Sequence, residues 1–491
     1  MRAFILTIAI LVAGNSAVSA QQSEKPPATK RLQVGMAATE ITPPVGYPMS
    51  GYYYERGASG VLDPLHAKAI AFDDGTTKVA IVVCDLIGIS IDLCHTVRER
   101  VSEELDISPH NIMIAATHCH TGPDYYADLR RFIQDSDVKD ERVEYAAHLV
   151  TGITDAVKNA LADLSPATLN SGLGIEKSVS FNRRFVMSDG SIRTWANYRD
   201  PSVVRAAGPI DPALDMLLIK DASKSTWKGS LSVFALHLDT TGGSKFSADF
   251  PFHMERTIRS KLGDDFQSVF AAGTCGDINH VNPRSKDRNR PHVIGARLGK
   301  AFVDSMSSLK EVTPSIKVDH RHVEVPLKSF TKEQLDWALE LIEKDKAGDK
   351  VPFLDEVQAY KIRLLSIFRD GYTTKNRSDQ PRGTSTRLAG IGESLPTEVQ
   401  VIQLGEDTAI VGLPGEVFVE LGLAIKQASP YRQTLVIELA NSVEAGYIPT
   451  RLAYQGGGYE VLNSAFQPGG GELLVETAVS LLRRMKSDRP K

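Results

Sequence analysis

The sequence predicts an α/β protein: a large mixed, mostly parallel sheet core flanked by helices, with a helical insertion near 331–394. Three observations predict it. Short uninterrupted apolar runs, 79–84 (VAIVVC) and 112–116 (IMIAA), have the pattern of strands covered on both faces. Segments of helical spacing separate such runs, as in a βαβ unit. A chain of 491 residues, 42% apolar and 24% charged, provides for a large core.

Taken in order, the chain opens with the pattern of a secretory signal peptide at 1–20. Arg2 gives a positive charge, 4–13 is apolar apart from Thr7, and Ala17-Val18-Ser19-Ala20 supplies small residues before Gln21. That apolar stretch is too short to anchor the mature chain, so a secreted or periplasmic protein is expected. A flexible polar leader follows at 21–33, then one domain over 34–485 and a tail at 486–491. A helix at 93–105 joins the two apolar runs, and a long helix over 141–164 stops at Ser165-Pro166. Next come strands at 216–219 and 231–237, a helix at 249–262, a strand at 269–272 and a helix at 293–306. The alternation of 318–327 (VDHRHVEVPL) has period two and predicts an edge or antiparallel strand. Charged amphipathic helices then lead into a Gly, Ser, Thr and Arg-rich stretch at 371–388. The core pattern resumes with a strand at 409–413, a helix at 416–427, a strand at 434–439 and a closing helix at 472–485.

Composition excludes several functions. Lys plus Arg is 56 and Asp plus Glu is 60, a net charge of -4 without long runs of one sign, so no nucleic-acid partner is expected. Cys84, Cys94, Cys119 and Cys275 are too few for a disulfide scaffold and form no CxxC pair, which excludes a cysteine zinc cluster. No GxSxG elbow, Walker loop or dinucleotide glycine spacing occurs. Asn376-Arg377-Ser378 is a formal glycosylation sequon.

The candidate chemistry lies at strand ends. In Thr117-His118-Cys119-His120-Thr121-Gly122-Pro123, residues i and i+2 of an extended segment share a face, so His118 and His120 project together. His237 closes a second apolar strand, with Asp239 and Asp249 near enough in sequence to orient imidazoles. Phe270 to His280 is a strand running into a glycine-rich loop that carries Asp277 and Asn279. Leu413-Pro414-Gly415-Glu416 puts a carboxylate at a helix start, where it would equally serve as an electrostatic cap. Arg183 and Arg184 would face an anion or solvent, and Tyr447, Tyr454 and Tyr459 lie in a Gly-rich loop. Two His, one Glu and a further oxygen donor make a zinc site with room for water.

The ordered series of Gly35 to Pro44 (GMAATEITPP), the His118 segment, Asn182-Arg183, His237, Gly276-Asp277, Pro414-Gly415-Glu416 and Gly446-Tyr447-Ile448-Pro449-Thr450 resembles the neutral ceramidase family over about 34–485. The resemblance covers the family's catalytic part and not its C-terminal immunoglobulin-like domain. It implies a zinc held by His118, His237, Glu416 and Tyr447. It further implies catalytic roles for His120, Arg183 and Tyr459, the last stabilising an oxyanion, in hydrolysis of an N-acyl amide. One departure is specific: where the family has G-D-x-S-P-N, with a serine taking part in catalysis, this chain has Gly276-Asp277-Ile278-Asn279-His280. Asn279 cannot be a nucleophile, so it and Asp277 are expected to orient while zinc-activated water attacks. The expected protein is thus an exported zinc amidohydrolase acting on a small-molecule N-acyl amide or lipid, with transient contact at a membrane surface. A metallohydrolase of other amide or ester specificity and a catalytically idle metal-binding or lipid-binding protein are the alternatives.

Overall fold

The computed structural model of the chain describes residues 32–487 apart from 136, 138, 286–287 and 373–384. The expected signal peptide, the leader up to residue 31, the sequon at Asn376 and the tail from 488 lie outside the described residues. Two sheets form the core. The larger has nine strands: β1 (Gln33–Glu40), β2 (His66–Asp73), β3 (Lys78–Cys84), β4 (Ile112–Ala116), β5 (Ser165–Ile175), β6 (Ala213–Asp221), β7 (Trp227–Phe234), β8 (Gln267–Ala272) and β9 (Lys310–Val312). Their order is β8-β7-β6-β5-β1-β2-β3-β4, with β9 also on β5. The smaller, in order, is β10 (Pro314–Pro326), β11 (Ser394–Gly405), β12 (Thr408–Gly412) and β13 (Gln433–Ile437).

The α/β class and the large mixed sheet stand, but the expectation of mostly parallel strands is corrected. Only β3 with β4, β7 with β8 and β12 with β13 run parallel; the other pairs in both sheets are antiparallel. The cause is connectivity. Each parallel pair is joined through a crossover helix, α1 (Ile91–Glu104), α4 (Phe250–Leu262) and α8 (Val419–Ala428) respectively, whereas hairpins such as β2–β3 return the chain antiparallel. The apolar runs reflect burial on both faces, not direction. Val79, Ile81 and Val83 of β3 pack with Ile410, Leu435 and Ile437 of the smaller sheet, while Ala80, Val82 and Cys84 pack with α1 and with α3 (Glu141–Ala162). On the outer face of the smaller sheet, Ala409 and Val411 pack under α8 and the closing helix α9 (Gly470–Ser487). The result is helix, sheet, sheet, helix.

The remaining helices are α2 (Tyr126–Gln134), α5 (Pro291–Ser305), α6 (Lys332–Lys346) and α7 (Phe353–Asp370). β10 is an edge strand with one antiparallel neighbour, as its period-two pattern requires. The four cysteines are buried and free. No helix among the described residues is long and apolar enough to cross a membrane.

Candidate metal centre

The three parallel pairs end at one place. His118 stands two residues beyond β4 at φ 71°, in the left-handed region that strains a non-glycine residue. His237 stands three residues beyond β7. A bridge from Cys119 to Leu238 ties the two segments together.

Each imidazole is fixed by a backbone carbonyl. The Nδ1–H of His118 donates to Ile87 O at 2.8 Å, that of His237 to Cys275 O at 2.9 Å and that of His120 to Gly51 O at 3.1 Å. Carbonyl oxygens only accept, so every neutral ring presents its Nε2 lone pair to the site. The His118 Nε2 lies 3.0 Å from that of His237 and 3.3 Å from that of His120. Glu416 Oε2 lies 3.3 Å from His118 Nε2 and 3.2 Å from His237 Nε2, and it is buried without a hydrogen-bond donor. With all three rings neutral, four acceptor atoms therefore gather with no hydrogen between them. That arrangement is repulsive unless a cation sits among them. Metal–nitrogen bonds of about 2.0–2.1 Å in a tetrahedral set place ligand atoms about 3.3 Å apart, which matches these spacings, so the residues fit a metal ion.

Their protonation suits the role. Burial, then the nearby Arg183 and His118 charges, push His237 down to about 3. Burial and His118 likewise hold His120 well below the usual imidazole range. Burial also opposes the charge on His118, but Glu416 outweighs it and raises that imidazole. In Glu416 the same pairing overcomes burial and keeps the carboxylate ionised. His237 and His120 are therefore neutral, and Glu416 anionic, at neutral pH.

Glu416 does not start a helix. It forms a two-residue ribbon, Glu416–Val417 beside Tyr447–Ile448, in which Glu416 and Tyr447 are direct parallel partners. Gly415 makes this approach possible: its φ is 61° and a Cβ there would lie 2.5 Å from Gly446 O. The buried Tyr447 hydroxyl is hydrogen-bonded with Glu416, and its ring lies parallel to His237 at 6.5 Å. Arg183 and Arg184 are not solvated. Both are buried on one carboxylate, with Arg183 Nε donating to Glu460 at 2.9 Å and Arg184 Nη1 at 2.6 Å, while Arg183 Nη2 donates to Gly276 O at 2.8 Å. The Arg183 guanidinium carbon sits 5.4 Å from the Tyr447 ring centre and 6.0 Å from that of Tyr459.

Asp277 and Asn279, expected to orient, hold protein groups rather than lining the cavity. Asp277 is buried, accepting from Val419 N at 2.9 Å and Asn182 Nδ2 at 2.6 Å, so it ties α8 to the Arg183 segment. Asn279 Oδ1 accepts from Val281 N at 3.1 Å, turning its own loop. Asp239 and Asp249 also leave the imidazoles alone: Asp239 accepts from the Tyr52 hydroxyl, and Asp249 caps α4.

The cluster of imidazoles and Glu416 opens into a cavity of about 740 Å³ bounded on one side by His118, His120, Glu416, Tyr447 and Tyr459. Its other wall comes from α6 and α7, where apolar Leu339, Ile342, Val357 and Leu364 stand among Tyr360 and the charged Glu343, Lys346, Lys361 and Arg363. A polar floor under a wall of mixed apolar and charged side chains suits a small amphipathic organic ligand. Sequence motifs missed that wall, and missed Glu460 and Glu438. Glu438 is an acid at the end of the apolar run 434–439, an anomaly that could have marked it. It accepts from Cys275 N at 3.0 Å and Val417 N at 2.7 Å, joining the segments that carry His237 and Glu416.

Fold and site together define a buried cluster of histidines and a carboxylate, able to hold a metal ion, at the mouth of a ligand-sized cavity. Residues 32–245 match the family model described as neutral/alkaline non-lysosomal ceramidase, N-terminal. The chain is 24% identical to a neutral ceramidase of Mycobacterium tuberculosis over 517 aligned positions, covering 94% of this chain and 78% of that one. It is 23% identical to a neutral ceramidase of Pseudomonas aeruginosa over 419 positions, covering 77% and 60%. Among solved structures, the neutral ceramidase from P. aeruginosa superposes with a TM-score of 0.67 at 21% identity, over 92% of this chain and 75% of that one. A ceramidase complexed with C2 gives 0.66 at 18%, over 94% and 77%. These matches support the assignment to the neutral ceramidase family made from the sequence motifs.

Proposed function

We propose that the protein is an exported zinc-dependent amidohydrolase that cleaves an N-acyl amide of lipid type. The observation that carries this is the convergence of three Nε2 lone pairs and the Glu416 carboxylate at a cavity whose opposite wall offers apolar Leu339, Ile342, Val357 and Leu364 among charged neighbours. The relatives bear the name neutral ceramidase, which directs the choice of an N-acyl amide. His118, His237, Glu416 and Tyr447 would hold the ion. Bound there, zinc supplies Lewis acidity, activating water and polarising the amide carbonyl.

The chain's own groups do the rest. His120 lines the cavity and stands outside the proposed ligand set, so its Nε2 is placed to take a proton and pass it to the leaving amine. The Tyr459 hydroxyl donates to the developing oxyanion, and Arg183, held by Glu460, adds fixed positive potential behind it. Asp277 and Asn279 hold the Arg183 segment and the 277–281 loop in place.

Elemental analysis of exported protein, with turnover on fluorogenic N-acyl amides including ceramide before and after chelation, tests this. About one zinc per chain is expected, with turnover lost on stripping and restored by zinc. Amide hydrolysis untouched by complete removal of metal would overturn it, and a retained Met1 on exported protein would overturn cleavage before Gln21.

A further inference from the structure

The cavity holds a charge that the reaction above does not use. Lys361, on α7, is 7% exposed and lines the cavity. Its ammonium stands over the Glu416–Tyr447 ribbon, since a Cβ on Gly446 would lie 3.0 Å from Nζ. Among the described residues no carboxylate lies within ion-pair distance of it and no carbonyl accepts from it. The neighbouring acids make no direct pair with it: Glu444 accepts from Ile91 N and the Ser442 hydroxyl, Glu343 pairs with Lys346, and Glu416, whose charge favours the ammonium, turns its carboxylate to the imidazoles. The nearest basic neighbour makes matters worse. Lys328 donates to Val461 O and Leu462 O, and its charge and that of Lys361 disfavour each other.

Burying a cation without a partner costs stability that a binding site recovers only when an anion arrives. Hydroxyl groups, all that a neutral amino alcohol offers, would not repay it. Resting on the amidohydrolase reading, we propose that Lys361 is a specificity-determining residue that binds an anionic group, such as a carboxylate, on the amine side of the substrate. The preferred substrate class is then an N-acyl amide of an acidic amine, with the acyl chain against the apolar side chains Leu339, Ile342, Val357 and Leu364.

The test compares N-lauroylglycine with N-lauroylethanolamine, which share an acyl chain and differ in charge, by turnover and by calorimetric binding to the zinc enzyme. Wild type should favour the carboxylate by at least about 10-fold in kcat/KM, mostly through KM. Lys361→Met should bring the ratio close to one, and Lys361→Arg should keep it, with zinc content and melting temperature showing that each variant folds. Hydrolysis of both amides at equal efficiency by wild type, or a ratio unchanged in Lys361→Met, overturns the proposal while leaving the amidohydrolase reading intact. Tighter wild-type binding of the carboxylate, lost in Lys361→Met but with neither amide hydrolysed, supports Lys361 and overturns the amidohydrolase. Weaker inhibition by free laurate in Lys361→Met, with the amide ratio unchanged, would assign the ammonium to the acyl product instead and also overturns it.

Discussion

His118, His120 and His237 each spend Nδ1–H on a backbone carbonyl, which fixes both ring orientation and tautomer. Loss of an outer partner of a ligand commonly costs 10–100-fold in metal affinity. Loss of a ligand itself should cost more. His118→Ala and His237→Ala are therefore expected to lower zinc affinity by at least about 100-fold, read by competition with a chromogenic chelator; wild-type affinity in either variant would remove that residue from the ligand set. Tyr459→Phe should behave oppositely, keeping zinc and losing about 100 to 1,000-fold in kcat, as removal of one oxyanion donor does. Full activity in that variant would end its assignment. The Tyr447 and Tyr459 rings lie 5.4 Å apart, so the contrast in zinc content between these substitutions and Tyr447→Phe separates donor to metal from donor to substrate.

At the scale of elements, individual strands and helices were legible because burial on both faces leaves a plain signature. The strand expected at 112–116 is Ile112–Ala116 to the residue, and the helices expected at 93–105, 141–164, 249–262, 293–306 and 472–485 lie within two residues of their ends, whereas that expected from 416 begins at Val419. Strand direction was not legible. It depends on whether the next strand follows a hairpin or a helix, and the strands at β1, β2 and β5 that complete the hairpins carry mixed patterns such as MAATE and TLNSG. The site was legible where motifs mark strand ends, as at His118 and His237. It was not where function rests on contacts distant in sequence: α6 and α7 read only as charged helices, and the structure shows them as a cavity wall. Glu416 was misplaced onto a helix because Pro-Gly-Glu resembles a helix start, whereas Gly415 at positive φ turns it into the ribbon with Tyr447. Gly415→Ala puts a Cβ into that conformation and against Gly446 O. It should cost about 1–3 kcal/mol of stability and weaken zinc binding by displacing Glu416. Denaturant midpoint and zinc affinity both at wild-type values would contradict this.

For the molecule as a whole, the seam where the two sheets and their loops meet gathers ionisable groups in the dry interior, and they oppose one another in their response to pH. Burial pushes Asp85 up to about 7, Glu444 to about 7 and Glu438 to about 8. Burial pushes His237 down to about 3 and His280 to about 4. For the acids the folded-state pKa exceeds the unfolded one, so their contribution is fully present below about pH 4 and is lost as pH rises through 7 to 8. For the histidines it is depressed, so theirs is present above about pH 6.5 and lost in acid. The two sets cancel over much of the range, and the stability profile of the wild type alone separates nothing. A difference does. Asp85 Oδ2 accepts from His66 N at 2.9 Å and Oδ1 lies 3.4 Å from the Thr117 hydroxyl, which also accepts, so an asparagine amide fits the same partners without titrating. Near pH 4 wild type and Asp85→Asn should be about equally stable. As pH rises to 8 the wild type must ionise Asp85 in the folded state or carry its proton against the solvent, and the variant should gain on the order of 2–4 kcal/mol relative to it. Urea denaturation of both proteins at pH 4, 6 and 8 reads this gap directly, and a gap that does not widen with pH would show that Asp85 is ionised in the folded core throughout.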